Sequence, residues 1–312
     1  MSIAARPGIC VIIAAYNASA TIQRAVKSAL DQPEVTEVIV VDDASTDDTV
    51  MIAQHQDDGA GRLRIVRLET NGGPAAARNR ALALSQAEFV TPLDADDYIL
   101  PGRLEKLLAN VGDADFLADD LFRQFENEAE ISPINLIKSE DHSSTELTLS
   151  YFVGRNISRT GENRRELGFL KPLMRRSFLD KHGLRYEEQM RLGEDYALYA
   201  SALAKGASFR LAPGYGYVAV HRDSSLSSSH TKQDLERLYE FDRLLLKRFE
   251  LSAEERRVVT QHAKSIRLKI DHRQILDDKG DKRYLDMFMR LLRSPSTALY
   301  VLKQTGLDKL GR

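Results

Sequence analysis

Phe89-Val90-Thr91-Pro92-Leu93-Asp94-Ala95-Asp96-Asp97 is an apolar run that ends in three carboxylates within four positions. The run reads as a buried strand. Like charges this close oppose one another's ionisation, so the cluster suits a place where something positive sits among them. Oxygen ligands crowded at a strand end suit a hard cation, Mg²⁺ or Mn²⁺. A cation held by only one or two carboxylates completes its shell with phosphate oxygens. One reading is therefore a metal–diphosphate site at the carboxyl edge of a sheet. The other is a polar turn whose aspartates cap a helix beginning near Pro101.

The chain before this stretch favours the sheet. Ile9 to Ala15 is a continuous apolar run rich in β-branched residues, as in strands buried on both faces of a parallel sheet. A helix follows from Thr21 to about Leu30, with Ile22, Val26 and Leu30 on one face. Val38 to Val41 reads as a second strand, ending in Asp42-Asp43, and a helix through Val50, Ile52 and Ala53 follows. Leu63 to Leu68 alternates as a third strand, and Pro74 opens a helix over Ala75 to Ser85. Strand–helix alternation through the first hundred residues implies a doubly wound, mostly parallel α/β sheet. In such sheets ligands bind outside the carboxyl ends of the strands. Tyr16-Asn17, Asp42-Asp43 and Asp94-Asp96-Asp97 all stand at such ends and should converge. No G-x-G-x-x-G follows the first strand and no P-loop occurs, so carboxylates rather than a glycine cradle would hold a nucleotide.

Beyond Pro101 a helix through Leu104, Leu107 and Leu108 is expected, then a strand ending at Asp119-Asp120. Glu126 to Arg165 carries no readable period. Glu194-Asp195 opens a strongly periodic helix, where acidic residues also suit the macrodipole. Phe209 to Ala212 and Tyr215 to Val220 read as strands, and His221 leaves the sheet. From about residue 231 the pattern becomes helical, with amphipathic segments over Leu235–Phe249, Ala253–Leu276, Tyr284–Leu292 and Thr297–Lys303. The expected division is a domain over 1–230 and a helical extension over 231–312.

Hydrophobic residues make up 43% and charged residues 29%, and the formal net charge is −2, an ordinary globular balance that gives no sign of nucleic acid as a partner. The single cysteine, Cys10, allows no disulfide within the chain. No stretch reaches the roughly 18 apolar residues of a membrane span, and the start lacks a signal-peptide layout. The expectation is a cytoplasmic protein. The Lys/Arg-rich tail leaves open peripheral contact with the cytoplasmic face of a membrane, or a homo-oligomer.

Six stretches in order resemble the family 2 glycosyltransferases of GT-A fold, especially bacterial exopolysaccharide and surface-polysaccharide enzymes. They are Val11 to Asn17, Val41 to Asp47, Asn71 to Asn79, Leu93 to Asp97, Gly193 to Tyr196 and His221 to Ser227. Ala14 departs from the proline that the family often has there.

The resemblance implies a Rossmann-like GT-A domain with a helical C-terminal extension. It implies an inverting, metal-dependent transfer of a sugar from a nucleotide-sugar, a UDP-sugar above others, to a saccharide or lipid-linked saccharide. Ala15, Tyr16 and Asp43 match positions that hold the base, and Arg78 one that could reach the diphosphate or base. Asp94, Ala95 and Asp96 match the Asp-x-Asp motif, with Asp96 as ligand to Mn²⁺ or Mg²⁺ and Asp94 nearer the ribose or the metal shell. His221 matches a position that completes that shell in some relatives. Glu194-Asp195 matches the acidic pair on the acceptor side, Asp195 as base and Glu194 orienting the acceptor. Arg222 or Ser225 would meet the phosphates. Two other readings are a sugar-nucleotide pyrophosphorylase, against which the lack of a glycine-rich, lysine-bearing first loop counts, and a non-enzymatic nucleotide-sugar-binding component of an assembly.

Overall fold

In the computed structural model, Ile9–Ala15 forms β1 and Ile22–Leu30 forms α1. The structure describes residues 8–136, 145–157, 166–222 and 231–309. Val35–Asp42 forms β2, Thr49–Gln54 forms α2, Leu63–Arg67 forms β3, Gly73–Leu84 forms α3 and Phe89–Asp94 forms β4. β1, β2, β3 and β4 are parallel neighbours in the order β3-β2-β1-β4. The apolar runs of β1, β2 and β4 are buried because helices cover both faces, which is why they do not alternate, whereas the edge strand β3 is only partly buried. Register then sets the site: Asp42 lies opposite Ala15 and Asp94 opposite Ala14, so three strands finish level at one edge.

The other half of the sheet is mixed. Tyr98–Ile99 forms β5, Arg103–Asn110 forms α4 and Phe116–Phe125 forms β6. Short strands follow, β7 at Ile131–Pro133 and β8 at Thr145–Leu147, and then the helix α5 at Leu149–Arg155. Leu173–Arg175 is β9, Arg176–Lys181 is α6, Glu194–Ala204 is α7 and Phe209–His221 is β10. β9 runs antiparallel between β4 and β6, while β6 and β10 are parallel. The two strands expected over Phe209–Val220 are one strand, β10, with its register shifted around Pro213-Gly214. Phe116, Tyr199 and Phe209 pack edge-on or tilted in the core beneath β6 and β10, at ring-centre distances of 5.3 to 6.2 Å.

The C-terminal helices are α8 at Lys232–Arg248, α9 at Ala253–Gly280, α10 at Tyr284–Arg293 and α11 at Pro295–Lys309. Reciprocal capping boxes, Thr231 with Asp234 and Ser252 with Glu255, start α8 and α9. Leu235, Ile266 and Ile270 form their shared core. The buried His262 Nδ1 lies 2.7 Å from the Asp242 carboxylate and ties the two helices together.

The chain divides into two compact units, Met1–Thr148 with Leu167–Ser225, and Leu149–Glu166 with Leu226–Arg312. A single cut at residue 230 thus omits one segment: α5 packs on α9 and goes with the C-terminal helices. At seven residues α5 is too short to show a helical period in a polar stretch.

Candidate active site

Asp43 is the first residue past β2, and its backbone N–H donates to Ala15 O at 2.8 Å. Its Oδ1 accepts from Gly72 N–H at 2.7 Å and its Oδ2 from Gly73 N–H at 2.8 Å. The carboxylate therefore fastens the start of α3, where Gly73 takes φ +85°, a conformation open to glycine without strain. Each oxygen keeps a further lone pair. Ala15 is buried beside it and Tyr16 is half exposed at the strand end. Asn17 Oδ1 accepts from Thr46 N–H at 2.9 Å, lacing the first and second strand-end loops together.

Arg78 stands one turn into α3 and is buried. Its Nη1 donates to Glu194 Oε1 and its Nη2 to Asp94 Oδ1, both at 2.6 Å. Asp195 Oδ1 lies 3.7 Å from Nη1, and the guanidinium carbon lies 5.4 Å from the centre of the Tyr186 ring. Asn79 holds Tyr186 by exchanging two hydrogen bonds of 2.9 Å with its backbone. A second cation closes the circuit. Lys171 Nζ lies 2.7 Å from Asp195 Oδ2 and 2.9 Å from Asp94 Oδ2. Two buried cations thus bridge three carboxylates drawn from β4 and α7.

Lys171 is the residue of this cluster that the sequence reading missed. Its signal was a lone charge between apolar neighbours, Phe169-Leu170-Lys171-Pro172-Leu173. Arg103 supports it from below: Nη2 donates to Lys171 O at 2.6 Å, while the same guanidinium forks onto Asp119 at 2.8 and 2.9 Å.

The ionisation pattern follows from these contacts. Burial pushes Asp94 up, but Lys171 and Arg78 outweigh it and hold its carboxyl below the usual range. Burial also opposes the Lys171 ammonium, and Asp195 and Asp94 outweigh that and raise it. Glu194 is pushed up by burial, with Arg78 opposing and Asp195 adding. Burial raises Asp96 too, and the Asp94 charge adds to it. Asp97 is raised as well, by burial and then by Asp96 and Asp94. Its Oδ2 accepts from Tyr217 Oη at 2.7 Å and its Oδ1 from Val220 N–H at 2.8 Å, so it anchors β10 under the loop.

Asp96 lacks the cations that hold Asp94: among the described residues its carboxylate has no ion-pair partner, and its backbone carbonyl accepts from Arg24 Nη2 at 2.9 Å. A part-buried oxygen donor without a cation fits Mg²⁺ or Mn²⁺, provided that phosphate and water supply most of the shell. The structure does not gather a larger donor set: among the described residues no three His, Cys, Asp or Glu side chains group as metal ligands. The His221 ring instead lies edge-on to Phe125 at 5.4 Å. Arg222 pairs with Glu126 at 3.1 Å. Ser225 and the rest of that motif lie outside the described residues, as do 137–144 and 158–165 of the unread stretch.

Gly193 takes φ +82° immediately before α7, turning the chain so that Glu194 and Asp195 enter the first helical turn. Asp195 Oδ2 is spent on Lys171, while Oδ1 is buried with no hydrogen-bond partner. Oδ1 thus keeps its lone pairs unused, buried between Lys171 and Arg78.

A parallel sheet with level acidic strand ends, continued by a mixed half that carries a second acidic pair, defines the GT-A class of α/β protein. The chain belongs to glycosyl transferase family 2: the family model matches residues 10–182, and the protein is accordingly a glycosyltransferase. It is 46% identical over 313 residues to the succinoglycan biosynthesis protein ExoU of Rhizobium meliloti (strain 1021), covering 100% of this chain and 91% of that protein. The succinoglycan biosynthesis protein ExoO of the same organism is 34% identical over 257 residues, 78% of this chain and 70% of that one. Among solved structures, residues 1–349 of S. aureus TarS in complex with UDP-GlcNAc superpose with a TM-score of 0.65 at 25% identity, covering 83% of this chain and 72% of that chain.

Proposed function

We propose that the protein is an inverting glycosyltransferase that moves a sugar from a UDP-sugar to a saccharide, lipid-linked in the growing state, in the synthesis of a bacterial exopolysaccharide at the cytoplasmic face of the membrane. The observation that carries the reading is Asp195: one oxygen held by Lys171, the other buried without a hydrogen-bond partner, 3.7 Å from Arg78 Nη1. Support for the donor and pathway comes from the relatives, two named for succinoglycan biosynthesis and one solved with UDP-GlcNAc.

In this reading Asp195 Oδ1 takes the proton from an acceptor hydroxyl as that oxygen attacks the anomeric carbon. The bond from the anomeric carbon to the diphosphate oxygen breaks, and its electron pair leaves with the nucleoside diphosphate. Glu194, held by Arg78, orients the acceptor. Ala15, Tyr16 and Asp43 line the base end, with Ala95 and Asp94 next to the ribose. Mg²⁺ or Mn²⁺ at Asp96, with Asp94 beside it, would offset the negative charge of the departing diphosphate. Arg78 and Lys171 hold the Asp94 carboxyl below the usual range.

The test is Asp195→Asn. It should bind UDP-sugar in the presence of Mn²⁺ as the wild type does, measured by calorimetry, while transfer falls by about 100-fold or more. Transfer at the wild-type rate would overturn the base assignment. The pyrophosphorylase reading would gain only from release of pyrophosphate from a nucleoside triphosphate and a sugar phosphate. The binding-component reading would gain only from tight donor binding with no turnover.

A further inference from the structure

Exposed apolar side chains are unevenly spread over this molecule. Of the fourteen large ones among the described residues, seven fall between Tyr284 and Leu302. Five are on α10 (Tyr284, Leu285, Phe288, Met289 and Leu292) and two are leucines of α11. α10 has no buried residue at all. A surface helix ordinarily turns its apolar stripe inward, and α10 does the reverse.

α10 is fastened by its polar side. Arg290 Nε donates to Asp278 Oδ2 at 2.8 Å, and Arg283, just ahead of the helix, donates to Asp278 Oδ1 at 2.8 Å. Asp278 is a buried residue of α9. At about 100° per residue, Leu285 and Leu292 fall on the side of α10 away from Arg290. Their exposures, 74% and 61%, agree. α11 is pinned in a similar way: Thr297 Oγ1 donates to Asp271 Oδ2 at 3.1 Å, and the Tyr300 ring meets His272 at 5.7 Å. Leu299 and Leu302 stay outside, each 71% exposed. Polar clips thus hold both helices in place and leave the apolar stripes without cover from the rest of their own unit.

The charge around this face selects its partner. From Lys279 to Lys303 there are six basic side chains and two acidic ones, Asp281 and Asp286. With Arg283 and Arg290 engaged by Asp278, Lys279, Lys282, Arg293 and Lys303 have no ion pair among the described residues. A two-fold pairing of copies would set this cationic patch against itself. No described helix is long and apolar enough to cross a membrane. An apolar stripe flanked by Lys and Arg, on a helix that cannot span, matches a helix lying in the interface of an anionic bilayer.

We propose that the α10–α11 face docks the protein on an anionic lipid surface. Phe288 and the leucines enter the headgroup–acyl boundary, and Lys282, Arg293 and Lys303 meet the lipid phosphates. The inference stands apart from the transfer chemistry, because vesicles bind or fail to bind with no donor present.

The test is co-sedimentation of the full chain with vesicles of phosphatidylcholine, with and without phosphatidylglycerol. The anionic vesicles should bind at least about tenfold more protein, and 1 M salt should weaken that binding. The double variants Leu285→Ser with Leu292→Ser, and Lys282→Gln with Arg293→Gln, should each lose about tenfold. Far-UV circular dichroism and donor hydrolysis in the absence of vesicles should stay at wild-type levels. Should the leucine pair disturb folding, Leu285→Gln alone, at the most exposed position, gives the reading. Absence of wild-type binding, or binding that none of these variants changes, overturns the proposal. So does a solution dimer that the leucine variant dissociates while vesicles stay unbound, since the face would then join two copies.

Discussion

The end of β4 and the start of α7 carry five carboxylates between them, and the two regions treat them differently. At α7, Glu194 and Asp195 each have a buried cation at 2.6 or 2.7 Å. At β4 only Asp94 does, and it shares both cations with α7. Asp97 is held by uncharged donors, Tyr217 Oη and Val220 N–H, and Asp96 by no cation among the described residues. The α7 pair is thus balanced within the protein, whereas the β4 loop is left short of positive charge. In the proposed reaction that deficit suits a loop that receives a cation, and the balance suits a pair that presents a fixed base. Arg78 and Lys171 join the two, so a change in one region is felt in the other.

Lys171→Met should give the largest effect, because it leaves Asp94 and Asp195 underpaired in a buried site. Loss of a partner from such a pair costs about 3–5 kcal/mol, read from urea unfolding, and transfer should fall about 100-fold or more. The same substitution at Lys27, whose pair with Asp31 is on the surface, should change stability by at most about 0.5 kcal/mol. Combining Lys171→Met with Asp195→Asn should cost clearly less than the two effects added. Additive losses would show that Lys171 does not act through Asp195, and the link between the two regions would be broken.

The same division separates what the residues disclose in order from what only the fold brings together. The parallel half was legible because β1, β2 and β4 are apolar runs ending in polar clusters, and the register of parallel neighbours brings those ends level. The mixed half was less so. β5 has two residues and β9 three, too few for any period. Asp94, Asp96, Glu194 and Asp195 stand out as acidic clusters in the sequence. Lys171 does not, since a lone lysine acquires meaning only when β9 delivers it between β4 and α7. Asp43 shows the converse. Its position at a strand end was plain, but its grip on Gly72 and Gly73 depends on a turn 29 and 30 residues away.

A smaller effect is expected at Gly193, which aims the acidic pair. An alanine at φ +82° costs about 1 kcal/mol. Gly59→Ala, at φ +75° in an exposed turn with open space around it, should cost a similar amount. The two differ in function: Gly193→Ala should also lower the transfer rate about tenfold by tilting Asp195, and Gly59→Ala should leave it unchanged. Equal rates for both variants would mean that the acidic pair does not depend on the turn before α7.

The smallest effect tests the charge deficit at β4 directly. Burial and its acidic neighbours raise Asp97 well above the usual carboxylate range. As pH rises, the unfolded chain releases this proton first, near pH 3.9, while the folded protein still holds it. The unfolded state then binds fewer protons, so stability falls as pH climbs from there toward the folded value. Asp97→Asn removes that loss. Its amide can accept from Val220 N–H and donate to Tyr217 Oη, which keeps β10 anchored. In metal-free protein the variant should melt about 2 °C above the wild type near pH 7.5, and the gain should vanish near pH 3.5. The matching substitution at Asp94, Asp94→Asn, has the opposite sign, because its lowered carboxyl contributes stability that is present above pH 3.9 and lost only at lower pH. If both variants shifted the melting temperature in the same direction at neutral pH, the β4 carboxylates would not be divided between paired and unpaired roles, and the contrast with α7 would lose its basis.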